Sequence, residues 1–538
     1  MTRYIFVTGG VVSSLGKGIT AASIGRLLKA HGFSVNIVKC DPYINVDAGT
    51  MAPFQHGEVF VTDDGAETDL DLGYYERFLG LDTTRVNIVT AGQIYQSVIA
   101  REREGGYLGQ TVQVIPHITD EIKSRFLKAG EGYDIAIIEI GGTVGDIESL
   151  PFLEAARQMR PDRTRSEVLY LHVTLVPYLS ASDELKTKPT QHSVNKLREI
   201  GIDPDIIVCR AEKPLARDIK NKIALFTSVP REAVVEAPDA PSIYDVPDLL
   251  KKQGLDEQIM MLLRLRSAKW DFDEWTGFVQ RMRKAASAQP VRIAIAGKYT
   301  KLKDSYKSLV EAIQHGCIAN GVKADLDYVD VEAPDFKARL AQADGLIVPG
   351  GFGDRGIEGK IEAVRYAREN GLPFLGICLG MQCATIEFAR NVLGLKKAHS
   401  AEFDSKTPHP VVDLMEAQKG VKDKGGTMRL GAYPCEIKKG TLAHRVYGSS
   451  SVSERHRHRY EFNTRYAAQY AGKGMTISGL NKKLNLPEIV EIKAHPWFVG
   501  VQFHPEFRSR PLMPHPLFFS FVAAAVSNRG AGAIAAKA

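Results

Sequence analysis

The N-terminal stretch from Tyr4 to Gly18 constrains the fold more than any other part of the chain. It combines an apolar run typical of a buried strand, a glycine-rich loop and the start of an amphipathic helical pattern. Glycines allow backbone N–H groups to close around phosphate oxygens, and the N-terminus of the helix adds positive potential. Lys17 is suited to reach the outer phosphates as a mobile charge. The stretch therefore predicts an α/β sheet with a phosphate-binding loop after its first strand.

Two details of this loop depart from the standard P-loop pattern. Five residues separate Gly10 from Gly16 where that pattern has four, and Gly18 stands where a metal-binding serine or threonine is usual. An ordinary glycine turn between a strand and a helix is the alternative interpretation. Gly-Lys-Gly placed directly after the first strand favours phosphate binding over such a turn.

Bulk composition sets the class of protein. A chain of 538 residues is too long for one core, and a hydrophobic content of 44% is that of a globular protein, so we expect two to four domains. The sequence has no apolar run of membrane-spanning length and no signal-peptide pattern, which predicts a cytoplasmic protein with no membrane partner. A net charge of +6 gives no case for nucleic acid as a partner. The cysteines are scattered without a CxxC pair, which argues against a disulfide or zinc framework.

Apolar runs alternate with helical stretches along the first half of the chain. This alternation is typical of a doubly wound parallel sheet, in which ligands bind at the carboxyl ends of the strands. We therefore expect functional residues directly after these runs. The predicted strands are Val35–Val38, Ile135–Ile140, Val168–Val173, Ile206–Val208 and Ala233–Glu236.

A second α/β series begins at Val291, after a predicted helix over Leu249–Arg266 and a polar, charged passage that we interpret as a helical linker. The Ala/Gly-rich tail after Asn528 is predicted to be disordered. We therefore predict two doubly wound domains. Their bounds are 1–266 for a P-loop-like domain and 291–527 for a C-terminal domain, with a linker over 267–290 and a disordered tail over 528–538.

Cys378 lies in the sharpest catalytic pattern of the second half. The apolar run Pro373–Ile377 leads into Cys-Leu-Gly and then into a helix, the arrangement of a nucleophile elbow. Small residues on both sides allow the strained turn that lifts a nucleophile above the sheet, and the helix N-terminus favours a thiolate. We predict that the backbone N–H groups of Gly351 and Leu379 form an oxyanion hole.

His504 and Glu506 follow Cys378 in the order of a thiol triad. If a strand continues through this segment, the two side chains point to the same face, and the carboxylate orients the imidazole for acyl transfer. The alternative interpretation is an inert buried cysteine with a surface His-Pro turn. That interpretation suits Cys383, which lies one helical turn after the elbow and is expected to pack in the core.

Long motifs give nearly the whole chain a resemblance to known families. Residues 291–527 resemble a class I glutamine amidotransferase domain, through the elbow and the His-x-Glu segment. Residues 1–266 resemble the synthetase domain of the CTP synthase family. The motifs that carry this second resemblance are GGVVSSLGKGI, KCDPYINVDAGTM, HGEVFVTDDGAETDLDLGYYERF, EIGGTVGDIES and KTKPTQHSV.

The resemblance implies a C–N bond-forming ligase of pyrimidine nucleotide biosynthesis. Such an enzyme converts UTP, ATP and glutamine to CTP, ADP, phosphate and glutamate by way of a 4-phosphorylated UTP. It also implies a homotetramer whose nucleotide site spans subunits, feedback inhibition by CTP and allosteric activation by GTP. Two alternatives remain open at this point: another ATP-dependent amidoligase with a fused glutaminase, such as a cobyrinate-type enzyme, and a nucleotide-sensing scaffold. The KTKPTQ and DPYINVD segments favour the first interpretation over the amidoligase, and the triad argues against the scaffold.

Residue roles in the synthetase half follow from the resemblance. Asp71 and Glu139 are implied ligands of Mg²⁺, shared with ATP phosphates. The residues alone do not single out Asp71, because other acidic residues crowd the same stretch. Lys17 and Lys39 are the implied catalytic cations. The implied ATP contacts are Ser14, Leu15, Gly16, Lys17, Gly18, Ile19, Asp71, Pro238, Asp239 and Ala240.

The uridine nucleotide is expected to occupy a second group of residues, which CTP would also use. Three lysines in this group suit a triphosphate, although solvated surface lysines are the alternative from composition alone. The implied UTP and CTP contacts are Ser13, Asp146, Ile147, Glu148, Lys186, Thr187, Lys188, Pro189, Thr190, Gln191 and Lys222.

Glutamine contacts are implied in the second half. In the run Arg455–Tyr460, arginine alternates with histidine or tyrosine, which favours a strand with two different faces over a nucleic-acid patch. Phe352, Arg355 and Arg429 are candidate contributors to a GTP site. The implied glutamine contacts are Gly351, Leu379, Gly380, Met381, Gln382, Glu402 and Arg457.

Overall fold

The computed structural model describes residues 2–51, 57–267, 269–297, 303–351, 355–415 and 427–535. The chain divides into two compact units by its internal contacts. Unit 1 comprises Met1–Ala48 and Asp71–Val279, and unit 2 comprises Gly49–Leu70 and Gln280–Ala538. Within the described ranges, no helix is both long enough and apolar enough to cross a membrane.

The strands of the first half of the chain agree with the predicted alternation. All five predicted runs form strands, and four of them continue two or three residues further at their carboxyl ends, which confirms the α/β fold class. The strands are β1 (Arg3–Gly9), β2 (Val35–Asp41), β3 (Phe60–Val61), β4 (Glu67–Thr68), β5 (Ile88–Thr90), β6 (Ile135–Ile140), β7 (Val168–Leu175), β8 (Tyr178–Leu179), β9 (Glu184–Leu185), β10 (Ile206–Ala211) and β11 (Val234–Pro238).

Seven of these strands form the parallel sheet of unit 1 in the described residues, in the order β11-β10-β7-β1-β6-β2-β5. Strand β1 lies at the centre, between β6 and β7, so its carboxyl end is where chain connections diverge to both sides. In open α/β sheets, ligands bind at such a point. On one face Phe6 packs against Phe126 and Tyr170, with ring centroids 5.3 and 5.8 Å apart, and this packing fixes β1 in the core.

The helices of unit 1 cover both faces of this sheet. The predicted helix over Leu249–Arg266 is wrong in its continuity: two shorter helices occur, separated by Gly254, whose φ of 75° breaks the helical backbone. The helices are α1 (Lys17–Ala30), α2 (Asp71–Leu79), α3 (Ala91–Arg103), α4 (Thr119–Gly130), α5 (Leu150–Met159), α6 (Lys188–Glu199), α7 (Arg217–Thr227), α8 (Val246–Lys252), α9 (Leu255–Leu262) and α10 (Asp273–Ala286).

Helix α10 shows that part of the predicted linker contributes to the core of unit 1. The side chain of Trp275 is fully buried, and its indole N–H donates to the carbonyl of Tyr244 at 3.1 Å. Phe278 packs edge-on against the Tyr244 ring, with centroids 5.3 Å apart. Burial of this size contributes about 2 kcal/mol or more per aromatic side chain, so the segment is anchored and not a free connection.

Unit 2 contains a mixed sheet of nine described strands, in the order β13-β12-β14-β15-β23-β22-β21-β18-β19. The first five of these are parallel neighbours and the last four pair antiparallel. The strands are β12 (Pro290–Gly297), β13 (Lys323–Asp330), β14 (Gly345–Val348), β15 (Phe374–Ile377), β16 (His399–Ser400), β17 (Pro410–Leu414), β18 (Arg429–Ile437), β19 (Ser451–His458), β20 (Tyr460–Phe462), β21 (Met475–Asn481), β22 (Leu486–Ile492) and β23 (Phe498–Val501).

The last helix of unit 2 includes residues for which the sequence predicts disorder. It continues through 528–535, where three of the eight residues are alanine, the strongest helix former. Residues 536–538 lie outside the described part. The helices are α11 (Lys307–Ala319), α12 (Phe336–Leu340), α13 (Ile357–Asn370), α14 (Leu379–Asn391), α15 (Leu442–Tyr447), α16 (Ala467–Gly472) and α17 (Pro516–Ala535).

Residues 49–70 belong to unit 2, although the sequence predicts one uninterrupted domain over 1–266. The reason is chemical. Carboxylates of this stretch pair with arginines of unit 2, among them Asp63 with Arg508 and Glu67 with Arg457. Sequence patterns describe local periodicity, so they gave no sign of these long-range ion pairs.

Candidate active sites

The first candidate site lies at the carboxyl end of β1. This strand ends at Gly9, and α1 begins at Lys17 after a loop in which Gly16 has a φ of 89°. The first N–H groups of a helix have no intrahelical partner, so the start of α1 is suited to bind an anion. The ammonium of Lys17 donates to the carbonyl of Gly142, and burial lowers its pKa. The predicted phosphate loop therefore has the expected strand–loop–helix geometry.

Lys39, Asp71 and Glu139 form a charged cluster beside this loop. Nζ of Lys39 donates to Asp71 and lies 3.1 Å from Oε1 of Glu139. A Cβ atom on Gly18 would lie 2.7 Å from Oδ1 of Asp71 and 3.4 Å from Oε2 of Glu139. Glycine at this position thus leaves room for both carboxylates at the start of α1. Burial, together with the charges of Asp71 and Glu139, raises the pKa of neighbouring Asp41 to about 6.

The donor set of this cluster fits Mg²⁺. In phosphoryl-transfer sites this ion is held by one or two carboxylates together with substrate phosphates. Asp71 and Glu139 supply two carboxylates next to the phosphate loop. Among the described residues, no group of three or more His, Cys, Asp or Glu side chains is arranged to hold a metal ion. The pair therefore suits an ion shared with a nucleotide better than a closed structural site.

Arg210 is a site residue that the sequence did not single out. Its guanidinium donates to the carbonyl of Pro238 at 2.9 Å and to Asp239 at 2.6 Å. A Cβ atom on Gly16 would lie 4.0 Å from Nε of Arg210. Arg210 therefore links the predicted adenine segment, Pro238 to Ala240, to the phosphate loop. Its place just after a predicted strand is the signal that could have identified it.

His172 is a second unpredicted residue, buried beneath the loop. Its Nδ1 lies 2.8 Å from Oγ1 of Thr8, and its Nε2 lies 2.7 Å from Oγ of Ser193. Burial lowers the pKa of His172 to about 3, with a contribution from Lys17, so the ring is neutral. A Cβ atom on Gly10 would lie 1.7 Å from Oγ of Ser193. The histidine thus connects the loop, β7 and α6.

The predicted uridine-nucleotide residues lie on three elements of unit 1. Asp146 precedes the short helical turn Ile147–Ser149, the KTKPTQ segment leads into α6, and Lys222 lies on α7. Ser13 and Lys222 are exposed, and Ile147 is 80% exposed. Ser13, Ile147 and Lys222 are thus open to solvent in a single copy of the chain, whereas Thr187, Thr190 and Gln191 are buried.

The second candidate site is built around Cys378, which joins β15 to α14. Its φ of 51° and ψ of −102° are strained for a residue with a side chain, at a cost of about 1–3 kcal/mol. A Cβ atom on Gly376 would lie 2.7 Å from the carbonyl carbon of Gly380, and one on Gly380 would lie 2.0 Å from the carbonyl oxygen of Val348. Only glycine allows this close approach of helix and sheet. The turn has the geometry of a nucleophile elbow.

His504 and Glu506 meet beside Cys378, with Nδ1 2.8 Å from Oε1. The predicted strand through both residues is wrong: β23 ends at Val501, and Glu506 lies in the helical turn Pro505–Arg508. Proline has no N–H for a strand ladder, and it starts this turn instead. Burial alone would lower the pKa of His504, but the Glu506 carboxylate and the Cys378 thiol raise it to about 10.

Backbone and amide groups surround the thiol. Nε2 of Gln502 donates to Sγ of Cys378 at 3.7 Å, and the carbonyl of Arg457 accepts from the thiol at 3.9 Å. A Cβ atom on Gly350 would lie 2.8 Å from Cε1 of His504 and 3.6 Å from Cβ of Cys378. The sequence did not single out Gln502 or Gly350. Each lies close in sequence to a predicted residue, and this is the only signal that they offered.

The predicted oxyanion residues are neighbours. A Cβ atom on Gly351 would lie 3.6 Å from Cδ2 of Leu379. Leu379 begins α14, so its N–H has no partner within the helix. Further along the same helix, Nε2 of Gln382 donates to the carbonyl of Tyr460 at 3.0 Å. This arrangement brings the elbow segment, including Gly380 and Met381, next to the predicted glutamine-binding region.

Glu402 and Arg457 were the predicted head-group residues, and the structure separates their surroundings. Burial raises the pKa of Glu402 to about 7. Glu402 and Arg459 both influence the pKa of the Tyr460 phenol, which burial raises, so both charges lie near that ring. Nε of Arg457 instead donates to Glu67 at 2.8 Å. Arg457 thus pairs with a carboxylate of the stretch 49–70, and its role toward the head group stays a prediction.

The three candidate GTP residues have different surroundings. Arg429 is buried, and its guanidinium donates to Glu461 at 2.8 Å and to Glu488 at 2.6 Å. These bonds hold Arg429 in the core of a single copy of the chain, and its contribution to a GTP site stays a prediction. Arg355 is exposed and donates to Glu332 at 3.1 Å. Phe352 lies outside the described residues.

Comparisons with known proteins match both halves of the chain. A model described as the CTP synthase N-terminus matches residues 3–265, and one described as glutamine amidotransferase class-I matches residues 301–524. The chain is 59% identical to the CTP synthase of Geobacter metallireducens over 532 residues, covering 98% of this chain and 99% of the relative. It is 57% identical to the CTP synthase of Moorella thermoacetica over 536 residues, covering 99% of each. A solved glutaminase domain of the Trypanosoma brucei enzyme is 41% identical, covers 44% of this chain and 94% of its own, and gives a TM-score of 0.42. From the two family matches and the full-length relatives, the chain belongs to the CTP synthase family.

Proposed function

We propose that the protein is a glutamine-hydrolysing CTP synthase, which uses ATP to convert UTP to CTP. The observation that carries this proposal is the presence of two complementary sites in one chain. Unit 1 has a phosphate loop with the Lys39–Asp71–Glu139 cluster, and unit 2 has the triad of Cys378, His504 and Glu506. The first suits phosphoryl transfer, and the second suits release of ammonia from an amide.

In the glutaminase reaction, Sγ of Cys378 attacks the side-chain amide carbon of glutamine. The oxyanion that forms is stabilised by the N–H groups of Gly351 and Leu379. His504 gives a proton to the departing ammonia, and Glu506 holds the imidazolium through Nδ1. Water then hydrolyses the thioester, which releases glutamate and returns the thiol. Glu402 and an arginine, Arg457 or Arg459, hold the amino acid head group.

In the synthetase reaction, the γ-phosphoryl group of ATP passes to O4 of the uracil ring. Ammonia then attacks C4 and displaces phosphate, which leaves CTP. Lys17 and Lys39 stabilise the charge on the transferred group. Asp71 and Glu139 would hold Mg²⁺, which neutralises phosphate charge when it is bound. Arg210 supports the adenine segment from β10.

The regulatory and assembly properties are part of the same proposal. UTP occupies the predicted uridine-nucleotide residues, which include Ser13 and Lys222, and CTP competes with UTP for them. GTP activates glutamine hydrolysis. The working form is a homotetramer, and a cytoplasmic location stays a prediction of the sequence. Support for assembly comes from large apolar side chains on unit 1 that are exposed in a single copy. They are Ile99 at 57%, Leu108 at 93%, Ile115 at 52% and Ile147 at 80%.

Separating the two nitrogen donors tests the function. Cys378→Ala is expected to lose glutamine-dependent CTP synthesis by roughly 10³-fold or more, because it lacks the nucleophile, yet to keep synthesis from ammonium. Lys17→Ala is expected to fail with both donors. CTP formation is followed by absorbance in wild type and in both variants. Wild type that makes no CTP from UTP with either donor would refute the function.

Sedimentation tests the assembly. Nucleotide that binds across a subunit interface favours the oligomer by mass action, so UTP with ATP, or CTP alone, is expected to increase the tetramer. A monomer in the presence of these nucleotides contradicts this part of the proposal.

A further inference from the structure

Segment 57–70 packs within unit 2 although its sequence lies in the N-terminal half. Its strands β3 and β4 pair antiparallel. Its backbone lies directly against β18, because the N–H of Ala432 donates to the carbonyl of Asp63 at 2.8 Å. A Cβ atom on Gly431, whose φ is 90°, would lie 2.7 Å from that same oxygen. The segment is therefore in close backbone contact with the sheet of unit 2.

The carboxylate of Asp63 holds two arginines. Nη2 of Arg508 lies 2.8 and 2.9 Å from its two oxygens, and Nε of Arg455 lies 2.5 Å from Oδ1. The side chain of Arg455 is 0% exposed, and it also donates to the carbonyl of Val61 at 3.2 Å. A buried guanidinium depends strongly on a carboxylate partner, so Asp63 fixes the position of Arg455.

Glu67 repeats this arrangement two residues along β19. Its carboxylate accepts from Nε of Arg457 at 2.8 Å, and Glu67 is 3% exposed. Positions 455 and 457 of a strand lie on the same face. Segment 57–70 thus provides one carboxylate for each arginine on this face of β19.

The backbone of these two arginines contacts the triad. The carbonyl of Arg455 accepts from the N–H of His504 at 2.8 Å, and the carbonyl of Arg457 lies 3.9 Å from Sγ of Cys378. A third connection passes through aromatic rings. The ring of Phe507 stacks on His504 at 5.2 Å, and Phe60 packs edge-on against Phe507 at 5.0 Å.

We propose that segment 57–70 positions the thiol triad, with Asp63 as its principal positioning residue. Asp63 does not act on glutamine itself. It holds Arg455, whose carbonyl accepts from the N–H of His504, and Arg508, the last residue of the helical turn that contains Glu506. Misplacement of a catalytic group by about 1 Å is enough to reduce a rate by about 100-fold. The inference rests on the proposed glutaminase function.

Replacing Asp63 tests this role. Asp63→Ala is expected to lower kcat for glutamate release by about 10- to 100-fold while KM for glutamine changes by less than about threefold, because the binding residues stay in place. CTP synthesis from ammonium is expected to stay within about twofold of wild type. The pH profile for alkylation of Cys378 by iodoacetamide is expected to change in Asp63→Ala, which simple loss of stability in an otherwise folded protein would not cause.

Asp64→Asn is the matched control, because it makes the same charge change in the same turn. Asp64 is exposed, and its carboxylate accepts from the Thr62 hydroxyl. A double variant, Asp63→Ala with Arg508→Ala, is expected to lose no more activity than the less active of the two single variants, since the two residues act as one unit. Equal losses of glutamate release in Asp64→Asn and Asp63→Ala would overturn the proposal.

Two further outcomes also decide the question. Normal glutamate release in Asp63→Ala, with reduced CTP from glutamine, would mean that the segment acts on ammonia transfer and not on the triad. If Asp63→Ala does not fold, Arg508→Lys keeps the test open, because lysine retains the charge but lacks the planar guanidinium whose Nη2 bonds both oxygens of Asp63. Unchanged alkylation of Cys378 in Arg508→Lys would then refute the proposal. Failure of wild type to make CTP would refute the function instead, since alkylation is measured without nucleotide.

Discussion

Nδ1 of His504 lies 2.8 Å from Oε1 of Glu506, and both side chains are about nine-tenths buried next to Cys378. Burial opposes a charge on the imidazole, whereas the neighbouring carboxylate favours it. The carboxylate and the thiol prevail, since the pKa of His504 is raised to about 10. The imidazolium is therefore the stable form at neutral pH, ready to give a proton to departing ammonia.

Glu506→Gln is expected to move the alkaline limb of the glutaminase pH profile to lower pH. Glutamine keeps the shape of glutamate but not its charge, so burial then dominates and the pKa of His504 falls. The protonated form needed for the leaving group is lost earlier as pH rises. The profile of kcat for glutamate release measures this shift. An unchanged alkaline limb would show that Glu506 does not set the charge of His504.

The same pair predicts a dependence of stability on pH. His504 has a raised pKa in the folded protein, so its stabilisation is fully present below its unfolded pKa of about 6.5 and is lost as pH rises toward 10. The difference in free energy of unfolding between wild type and Glu506→Gln should therefore shrink between these values. Urea unfolding at several pH values measures it.

Glu402 predicts a pH dependence of glutamine binding. Burial raises its pKa to about 7, and it must be ionised to hold an ammonium group. The kcat/KM for glutamine is therefore expected to fall as pH decreases below 7, approaching tenfold per pH unit. Glu402→Gln is expected to give a low value without this acid limb. Asp404→Asn, with the same loss of charge nearby, is the control; a retained limb in Glu402→Gln would assign it to another group.

Much of the fold follows from local patterns. The strand from Ile135 to Ile140 has the predicted bounds, and the elbow at Cys378 follows from small residues around a nucleophile. These features depend on neighbours in sequence, which periodicity and turn chemistry describe. The order of the three triad residues along the chain was also predicted from the sequence. Its geometry was not, because Pro505 starts a helical turn instead of continuing a strand.

Residues that act through distant partners were not predictable. His172 lies within an apolar run that reads as plain core, and only the fold brings it to Ser193. Asp63 was one of several acidic residues in its stretch until Arg455 and Arg508 distinguished it. The predicted role of Arg457 in binding glutamine remains a prediction, since its side chain pairs with Glu67 here.

Asp71→Asn tests the metal assignment. Loss of one carboxylate of the pair with Glu139 is expected to reduce CTP synthesis from either donor by about 100-fold or more, because phosphoryl transfer depends on charge neutralisation. Asp69→Asn makes the same charge change in the same acidic stretch and is expected to retain activity. Titration of Mg²⁺ against CTP formation compares the two variants. Normal turnover of Asp71→Asn at ordinary Mg²⁺ would remove Asp71 from the site.

His172 is expected to support the synthetase site without changing charge. Its ring bonds Thr8 at 2.8 Å and Ser193 at 2.7 Å, and its lowered pKa of about 3 keeps it neutral at working pH. His172→Leu leaves both hydroxyls without this partner, at a cost of about 1–3 kcal/mol for each buried group. We expect a lower melting temperature and about tenfold slower CTP formation from ammonium, since the loop beside Gly10 loses its support. Glutamate release should change less than CTP formation.

The exposed His192, which precedes Ser193 on α6, provides the control, and His192→Leu is expected to leave the melting temperature unchanged. His172→Gln should recover part of the lost rate, because an amide can replace one of the two hydrogen bonds. The acid limb of the wild-type CTP-formation profile between pH 5 and 8 should not depend on His172, since a ring with a pKa of about 3 stays neutral over this range. A limb that disappears in His172→Gln would instead identify His172 as a titrating group of the reaction.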